Sequence, residues 1–299
     1  MKRIALFTLS IFALASFGAA AQDGTLKKIK DSGAITIGHR DASVPFSYYD
    51  DKQQPVGYAM DICAKVVDAV KSELKLPNLK TNYQLVTSAN RIPLMANGTI
   101  DLECGSTTNN LERQKLVWFT ITHFVTANRW VAKRTAKLNK LADLKGKTIV
   151  STAGTTNIKQ ITELNGEQKL GANIISANGH AEAFQMVETG RAVAFVMDDI
   201  LLYSLVAQSR SPKDYAISPE ALSVEPYGIM LRKDDAAFKK VVDAAMVNTY
   251  KSGAINAIYD KWFQKPVPPK GINLNVPMSD AFKKVIKSPT DSGDQSAYK

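Results

Sequence analysis

The sequence predicts an α/β protein of two lobes joined by two crossover strands that form a hinge. Three observations predict this fold. The chain has 299 residues, which exceeds one typical domain. Strand and helix patterns alternate in both halves, and two apolar, extended segments at 121–132 and 221–231 fit connections between the halves. The expected lobes are 22–125 with 226–265 and 126–225, followed by a C-terminal extension over 266–299.

Residues 1–21 have the pattern of a secretory signal peptide. Lys2 and Arg3 precede an apolar run over 4–17, and three alanines then form a cleavage signal before Gln22. The apolar run is too short for a membrane helix, and no later run approaches about 18 uncharged apolar residues. The mature protein is therefore expected to be soluble and exported.

The composition excludes some classes of function. Hydrophobic residues make up 45% of the chain, which is typical of well-filled cores rather than of disorder. The formal net charge is +10, or +8 without Lys2 and Arg3, but no basic run contains interleaved aromatic residues. Binding of nucleic acid is therefore not expected. Neither a metal nor a cofactor is expected, because the 3 histidines and 2 cysteines lack metal-ligand spacing.

The two cysteines, Cys63 and Cys104, leave two states open. In an oxidising compartment they can form a single disulfide. Cys63 lies in a helical pattern and Cys104 at the end of a strand, so the sequence does not say whether they approach each other. Two buried free thiols remain the alternative.

In the first half, apolar periodicity and capping residues locate each element. Gly33 ends the first helix, Ile62 and Val66 recur with a helical period, and Ser88 caps a short helix. The expected elements are a helix over 24–34, a strand over 34–38, a helix over 57–74, a strand over 82–86, a short helix over 90–97 and a strand over 100–104.

The second half repeats the alternation. Asp235 caps a long helix, and Tyr259 and Trp262 anchor the next one by hydrophobic packing. The expected strands cover 148–151, 173–176, 193–197 and 227–231, and the expected helices begin near 157 and 180 and cover 236–251, 255–263 and 279–287. The rest of 272–299 is expected to be a frayed tail.

A polar stretch over 101–119 is the first candidate for a binding site. It begins as a strand, turns at Gly105 and presents the hydroxyls of Ser106 and Thr108 before Arg113. A guanidinium with hydroxyls and backbone N–H groups nearby can bind both oxygens of a carboxylate. The alternative is a helix N-cap over 108–110 followed by an exposed arginine.

Other polar side chains share the position at which ligands bind in open α/β sheets, the carboxyl ends of the strands. These positions hold Arg40, Ser88, Arg91, Ser106, Thr108 and Arg113 in the first half and Thr156, His180 and Asp198 in the second. Each has a simpler explanation, such as a solvated arginine or a helix cap at 153–157 or 198–199. Their shared position favours a site, with a second place for an anion at 153–157 and an ammonium at Asp198.

These residues also carry a resemblance to a known family. Over essentially the whole mature length, the chain resembles the periplasmic solute-binding proteins of polar amino-acid ABC transporters, and within them the glutamate/aspartate-binding subgroup. The motifs that carry it are G-H-R-D-A-S-V-P-F-S-Y-Y-D (38–50), T-S-A-N-R-I-P-L (87–94), E-C-G-S-T-T-N-N-L-E-R-Q (103–114), A-G-T-T (153–156), G-R-A-V-A-F-V-M-D-D (190–199) and Y-G-I-M-L-R-K-D-D (227–235).

The resemblance implies a type II periplasmic binding protein fold that closes over one ligand and presents it to a membrane permease. It implies that the α-carboxylate is bound by Arg113 with Thr108 and Thr156. The α-ammonium would then be bound by Asp198 with Ser106. A periplasmic location and a monomer are further implications.

For the ligand's side chain, the resemblance implies a carboxylate bound by Arg40, Ser88, Arg91 and His180. A count of three arginines and one aspartate gives a formal +2, which suits a ligand with two carboxylates and one ammonium. Glutamine would leave buried guanidinium groups without a partner and should bind much more weakly. Glutamate and aspartate differ by one methylene, so the choice between them stays open.

Two other classes of function are alternatives, an exported enzyme and the sensor domain of a receptor. An exported enzyme on the same scaffold, such as a dehydratase acting on a cyclic carboxylate, would need a general acid or base. His180 with Asp198 or Glu103 is the available set, and each has a simpler role. A receptor sensor domain is disfavoured, because no membrane segment or output domain follows in the sequence. No catalysis is expected.

Overall fold

A computed structural model describes residues 24–299; the predicted signal peptide at 1–21 lies outside the described residues. The strands are β1 (Ala34–His39), β2 (Ala42–Ser43), β3 (Ser47–Tyr49), β4 (Pro55–Val56), β5 (Lys80–Leu85), β6 (Leu102–Glu103), β7 (Trp118–Phe119), β8 (Phe124–Lys133), β9 (Thr148–Thr152), β10 (Asn173–Ala177), β11 (Ala194–Asp198), β12 (Tyr215–Ile217), β13 (Ser223–Tyr227) and β14 (Met230–Leu231). The helices are α1 (Thr25–Ser32), α2 (Tyr58–Leu74), α3 (Arg91–Ala96), α4 (Thr156–Glu167), α5 (His180–Glu188), α6 (Asp199–Gln208), α7 (Ala236–Lys251), α8 (Ala254–Phe263) and α9 (Asp280–Lys287).

The first lobe is built on a five-stranded sheet in the order β5-β1-β6-β14-β7. Strands β5, β1 and β6 run parallel, and β14 is antiparallel to both of its neighbours. In this register His39 lies opposite Leu85, and Gly38 lies opposite Glu103. The loops after these three strands therefore leave the sheet at one edge, which is where the candidate residues of the first half follow.

The second lobe is built on a six-stranded sheet in the order β10-β9-β11-β8-β12, with β13 paired to β8. Strands β10, β9 and β11 are parallel, so their carboxyl ends lie at one edge of the sheet. The strands β9 and β11 end at Thr152 and Asp198, and α4 and α5 begin with Thr156 and His180. This edge carries the candidate residues of the second half.

The hinge consists of β8 and β13, which pair antiparallel from Phe124 opposite Tyr227 to Asn128 opposite Ser223. The predicted outgoing crossover is confirmed. The return crossover differs from the expected strand over 227–231, because the strand divides at Gly228 and Ile229 into β13 and β14. Only β13 belongs to the hinge, while β14 returns to the first sheet.

An aromatic cluster fills the first lobe where it meets the hinge. Phe46 lies with its ring centroid 5.0 Å from that of Phe124 and 5.2 Å from that of Tyr227. Phe263 of α8 stacks on Phe124 at 5.0 Å and meets Tyr58 of α2 at 5.1 Å. The predicted role of α8 as a hydrophobic anchor is confirmed, because its aromatic face packs against the hinge strand.

The cysteines form a disulfide between Cys63 and Cys104, so the alternative of two free thiols is wrong. Cys63 lies on the buried face of α2, and Cys104 directly follows β6. The covalent link joins the helix to the loop that continues into Ser106 and Thr108. It therefore supports one wall of the region between the lobes.

The expectation of a frayed tail is wrong for the last residues. Tyr298 is 3% exposed and its hydroxyl lies 2.7 Å from that of Thr122. The backbone N–H of Thr122 donates to the carbonyl of Thr290 at 2.9 Å, and Asn109 donates to the carbonyl of Asp291 at 2.9 Å. A buried aromatic ring and these hydrogen bonds order the segment. No helix among residues 24–299 has both the length and the apolarity needed to cross a membrane.

Candidate ligand-binding site

The nine predicted side chains lie together where the two lobes face each other. Eight of them are buried: Arg40, Ser88, Arg91, Ser106, Thr108, Arg113, His180 and Asp198. Thr156 is partly exposed. The Arg113 guanidinium donates to the carbonyl of Gly154 in the other lobe at 3.3 Å, and Lys159 pairs with Glu112 across the same interface. The lobes are therefore closed on each other.

Arg40 and Arg91 present buried donors that have no partner among residues 24–299. These atoms are Nε and Nη1 of Arg40 and Nε of Arg91, and the hydroxyl of Ser88 is also unpaired. Burial, together with the charge of Arg91, lowers the pKa of Arg40 to about 10. Both groups remain cationic at neutral pH. Unpaired buried guanidinium donors are costly, so this group of side chains is suited to receive an anion.

His180 supplies a neutral polar group to the same region. Its Nδ1 lies 2.9 Å from the Thr152 hydroxyl. Burial and the nearby charges of Arg40 and Arg91 hold the pKa of His180 well below its usual range. At neutral pH the ring carries no charge, so it can form hydrogen bonds without adding to the positive charge of the arginines.

Arg113, Thr108 and Thr156 form a second polar group. Arg113 is 8% exposed and donates to the carbonyl of Thr108 at 2.9 Å. The alternative of an exposed arginine after a cap is therefore wrong for Arg113, although Asn110 does cap its backbone N–H at 2.8 Å. The hydroxyl of Thr156 lies 3.5 Å from that of Thr108. Burial and the charge of Arg91 lower the pKa of Arg113 to about 10.

The loop before α4 divides capping and site contacts between two threonines. Thr155 is the N-cap, and its hydroxyl oxygen accepts from the backbone N–H of Ile158 at 3.2 Å. Thr156 is the first residue of the helix, and its hydroxyl donates to Glu225 at 3.0 Å. The cap explanation therefore holds for Thr155 and leaves Thr156 free of a capping role.

Asp198 is a buried carboxyl at the end of β11 in the second lobe. It occupies the N-cap position of α6 but makes no capping hydrogen bond, so the cap explanation is wrong for its side chain. Its oxygens accept from Asn157 Nδ2 at 2.7 Å and from the Tyr227 hydroxyl. Burial and the neighbouring Glu225 raise the pKa of Asp198 to about 7.

The binding set predicted from the sequence left out four contributors, Glu103, Asn157, Glu225 and Tyr227; of these, Glu103 was considered only as an acid or base for the enzyme alternative. Glu225 lies on β13, a segment for which the sequence predicted only a crossover between the lobes. Glu103 and Glu225 are buried carboxyls in contact with site residues, so the formal excess of +2 counted from the sequence is wrong. The available signal was an acidic residue inside an apolar strand pattern. No group of three or more His, Cys, Asp or Glu among residues 24–299 could hold a metal ion.

A polar site closed between two α/β lobes with a paired-strand hinge defines a class of solute-binding proteins. The family described as bacterial extracellular solute-binding proteins, family 3, matches residues 35–265. The chain belongs to this family. Its similarity extends to the solved structure of a mutant of ArgBP from T. maritima, with a TM-score of 0.71 and 25% identity, covering 80% of this chain and 99% of that one.

Two curated relatives are more similar in sequence. The L-glutamate/L-aspartate-binding protein of Pseudomonas aeruginosa is 55% identical over 289 residues, covering 96% of each chain. The glutamate/aspartate import solute-binding protein of Escherichia coli is 46% identical over 288 residues, covering 96% of this chain and 95% of that one. Both relatives are named as binding or import proteins rather than enzymes, so the dehydratase alternative is not favoured.

Proposed function

We propose that this protein binds an acidic L-amino acid, glutamate or aspartate or both, by closure of its two lobes. The observation that carries the proposal is the pair of buried guanidinium groups, Arg40 and Arg91, with donors that have no partner within the described residues 24–299. A ligand side-chain carboxylate would supply the acceptors. The names of the two relatives support the same class of ligand.

The remaining contacts fit the two groups at the α-carbon of an amino acid. Arg113, Thr108 and Thr156 surround a place for the α-carboxylate, and helix α4 begins there with its positive dipole end. Asp198 with Ser106 would bind the α-ammonium. Ser88 and His180 would complete the contacts to the side-chain carboxylate. A neutral side-chain amide would leave charged donors unpaired.

Binding and closure are one process in this proposal. The side chains come from both lobes, so a ligand makes its full set of contacts only in the closed form and shifts the population towards it. A permease of an ABC transporter would recognise the closed shape and receive the ligand. The protein would be exported to the periplasm by residues 1–21 and act there as a monomer, without nucleic acid.

Calorimetric titration of the mature protein tests the proposal, after unfolding and refolding to remove bound ligand. L-glutamate, L-aspartate and L-glutamine are titrated in parallel. The expected result is one-to-one binding of at least one dicarboxylate, with glutamine at least a hundredfold weaker. Preferred binding of glutamine or a basic amino acid would contradict the side-chain assignment. Absence of binding by all three would overturn the proposed function.

A further inference from the structure

Glu103 is a carboxylate with no exposed surface at the end of β6. It lies beside the two arginines to which the ligand side chain is assigned. Its Oε1 lies 3.9 Å from Arg91 Nη1 and has no hydrogen-bond partner in the part of the chain that the structure describes. A Cβ atom at position 105 would collide with Oε1 and would lie 3.2 Å from Arg40 Cγ. Gly105 thus leaves space for the Glu103 carboxylate and the Arg40 stem side by side.

Thr107 connects Glu103 to Arg91. The Arg91 guanidinium donates through Nη1 to Oγ1 of Thr107. The single hydroxyl hydrogen of Thr107 then donates to Oε2 of Glu103 at 2.6 Å. A carboxylate has no hydrogen to donate, so Glu103 can only accept from the Thr107 hydroxyl. Glu103 therefore fixes the direction of this hydroxyl, and the Thr107 oxygen serves Arg91 as an acceptor. Thr107 and Glu103 are both fully buried, so water does not replace this arrangement.

Glu103 also sets the charge of the side-chain subsite, defined as Arg40, Arg91, Glu103 and the neutral His180. Two guanidinium groups and one carboxylate give this subsite a formal charge of +1. One ligand carboxylate then neutralises it. The charge of Glu103 raises the pKa of both arginines against the lowering that burial causes, which favours their charged forms.

We propose that Glu103 is a specificity-determining residue, which positions Arg91 through Thr107 and limits the subsite to ligands with a singly charged side chain. The inference rests on the proposed function and concerns which acidic ligands the same site accepts. A subsite of +2 would instead favour a doubly charged side chain, since each buried cation then obtains its own negative charge.

The test compares L-glutamate with O-phospho-L-serine, whose phosphate approaches two negative charges at pH 8. Titrations are made with wild type, Glu103→Gln and Thr107→Val. We expect Glu103→Gln to raise the affinity for phosphoserine relative to glutamate at least tenfold. Thr107→Val removes the link between Arg91 and Glu103 but keeps the charge of Glu103. It should therefore weaken the binding of glutamate at least tenfold without changing the ratio of the affinities for phosphoserine and glutamate. Glu167→Gln removes a charge from an exposed helix position. It should change neither the affinity for glutamate nor the ratio of the two affinities.

A role in packing alone would lower stability without changing the ratio of the two ligands. Glu103→Asp keeps the charge and should keep the wild-type ratio of the two affinities, and it can be measured even if Glu103→Gln fails to fold. A shifted ratio in Glu103→Asp would overturn the role of Glu103. An unshifted ratio in folded Glu103→Gln would overturn it as well. If wild type binds neither glutamate nor aspartate, the proposed function fails and this inference falls with it. Normal wild-type binding with an unchanged ratio in Glu103→Gln overturns the inference alone.

Discussion

At the scale of single residues, His123 is a histidine that the folded protein holds uncharged at the start of the hinge. Its ring lies 5.8 Å from that of Tyr58 and 6.3 Å from that of Tyr227. Neither ring nitrogen has a hydrogen-bond partner among residues 24–299. Burial lowers the pKa of His123 to about 3. The unfolded chain therefore takes up a proton at this residue at a higher pH than the folded protein does.

This difference predicts acid sensitivity with a definite sign. Neutral His123 makes its full contribution to the free energy of unfolding above the unfolded pKa of 6.5. This contribution is lost as the pH falls from there towards about 3. His123→Phe should reduce the dependence of the free energy of unfolding on pH by up to about 1.4 kcal/mol per pH unit in this range. Denaturant titrations between pH 4 and pH 8 measure it. The remaining histidines are common to both proteins, so identical pH profiles would contradict the assignment.

Arg40 offers a test of charge recognition. It is 2% exposed, and its Nε and Nη1 have no hydrogen-bond partner among the residues from 24 onwards. Arg40→Met retains much of the apolar stem and removes the charge, so glutamate affinity should fall at least a hundredfold while glutamine affinity changes by less than tenfold. Calorimetry of both ligands measures this loss of selectivity. Arg191→Met, at an exposed position outside the site, is the control, and equal losses for both ligands in Arg40→Met would contradict a role in charge selection.

The raised pKa of Asp198 predicts how the affinity for an amino acid depends on pH. An ammonium binds the ionised carboxylate, whereas burial and Glu225 raise the pKa of Asp198 to about 7. Affinity for an acidic amino acid should therefore increase about tenfold from pH 6 to pH 8, with proton release on binding at the lower pH. Titrations in buffers of different ionisation enthalpy measure both quantities. Asp198→Asn should bind weakly and without this pH dependence, and a flat wild-type profile would argue against an ammonium at Asp198.

The sequence predicted the members of the site better than their charge balance. The polar residues at strand ends and the family resemblance named nine side chains, and the structure brings them together; their individual contacts to a ligand stay predictions. Glu103 and Glu225 were not assigned to the binding site because an acidic residue within a strand pattern is usually solvent-exposed, and only the packing of both lobes shows these two to be buried. Tyr227 was left out for a different reason, because its hydroxyl partner Asp198 lies 29 positions away in the sequence.

At the scale of elements, the disulfide connects α2 to the loop after β6. Cys63 and Cys104 are 41 positions apart, and closing a loop of this length stabilises the folded chain by about 4 kcal/mol on chain-entropy grounds. Cys63→Ser with Cys104→Ser should lower the midpoint of thermal unfolding accordingly. Scanning calorimetry with and without reductant measures it. Reductant should lower the midpoint of wild type but not of the double variant, and equal midpoints for the two proteins without reductant would contradict the expected contribution.

Element positions were largely predictable because apolar periodicity and caps are local signals. The helix expected over 57–74 is α2, and the helix expected over 236–251 is α7. Within the return crossover expected over 221–231, the strand was placed too late because its pairing partner, Phe124–Asn128, is about a hundred positions away in sequence. The order of the tail likewise depends on a distant contact, that of Tyr298 with Thr122.

At the scale of the whole molecule, closure brings the backbones of the two lobes close together at Gly154. Its φ is +75°, and a Cβ atom there would lie 2.5 Å from Ala89 Cα in the first lobe. Gly154→Ala should therefore oppose closure and weaken ligand binding at least tenfold, since backbone cannot move aside as a flexible side chain can. Calorimetry measures the affinity, and small-angle scattering measures the fraction closed at saturating ligand.

Gly146 provides a matched control for this prediction. It also has a positive φ, +68°, but a Cβ atom there meets nothing within 4 Å. Gly146→Ala carries a comparable backbone strain without a collision between the lobes, so it should cost stability and leave affinity unchanged. Equal losses of affinity in the two variants would show that strain rather than obstructed closure is responsible.

The placement of β14 has a consequence for the order in which the molecule can assemble during synthesis. The second sheet uses strands only from Phe124 to Tyr227, whereas the first sheet needs Met230 and Leu231 between β6 and β7. A growing chain therefore completes all strands of the second lobe before the first lobe can close its sheet. The lobe that begins the sequence is the last to be finished, and until then β6 and β7 lack the strand that joins them.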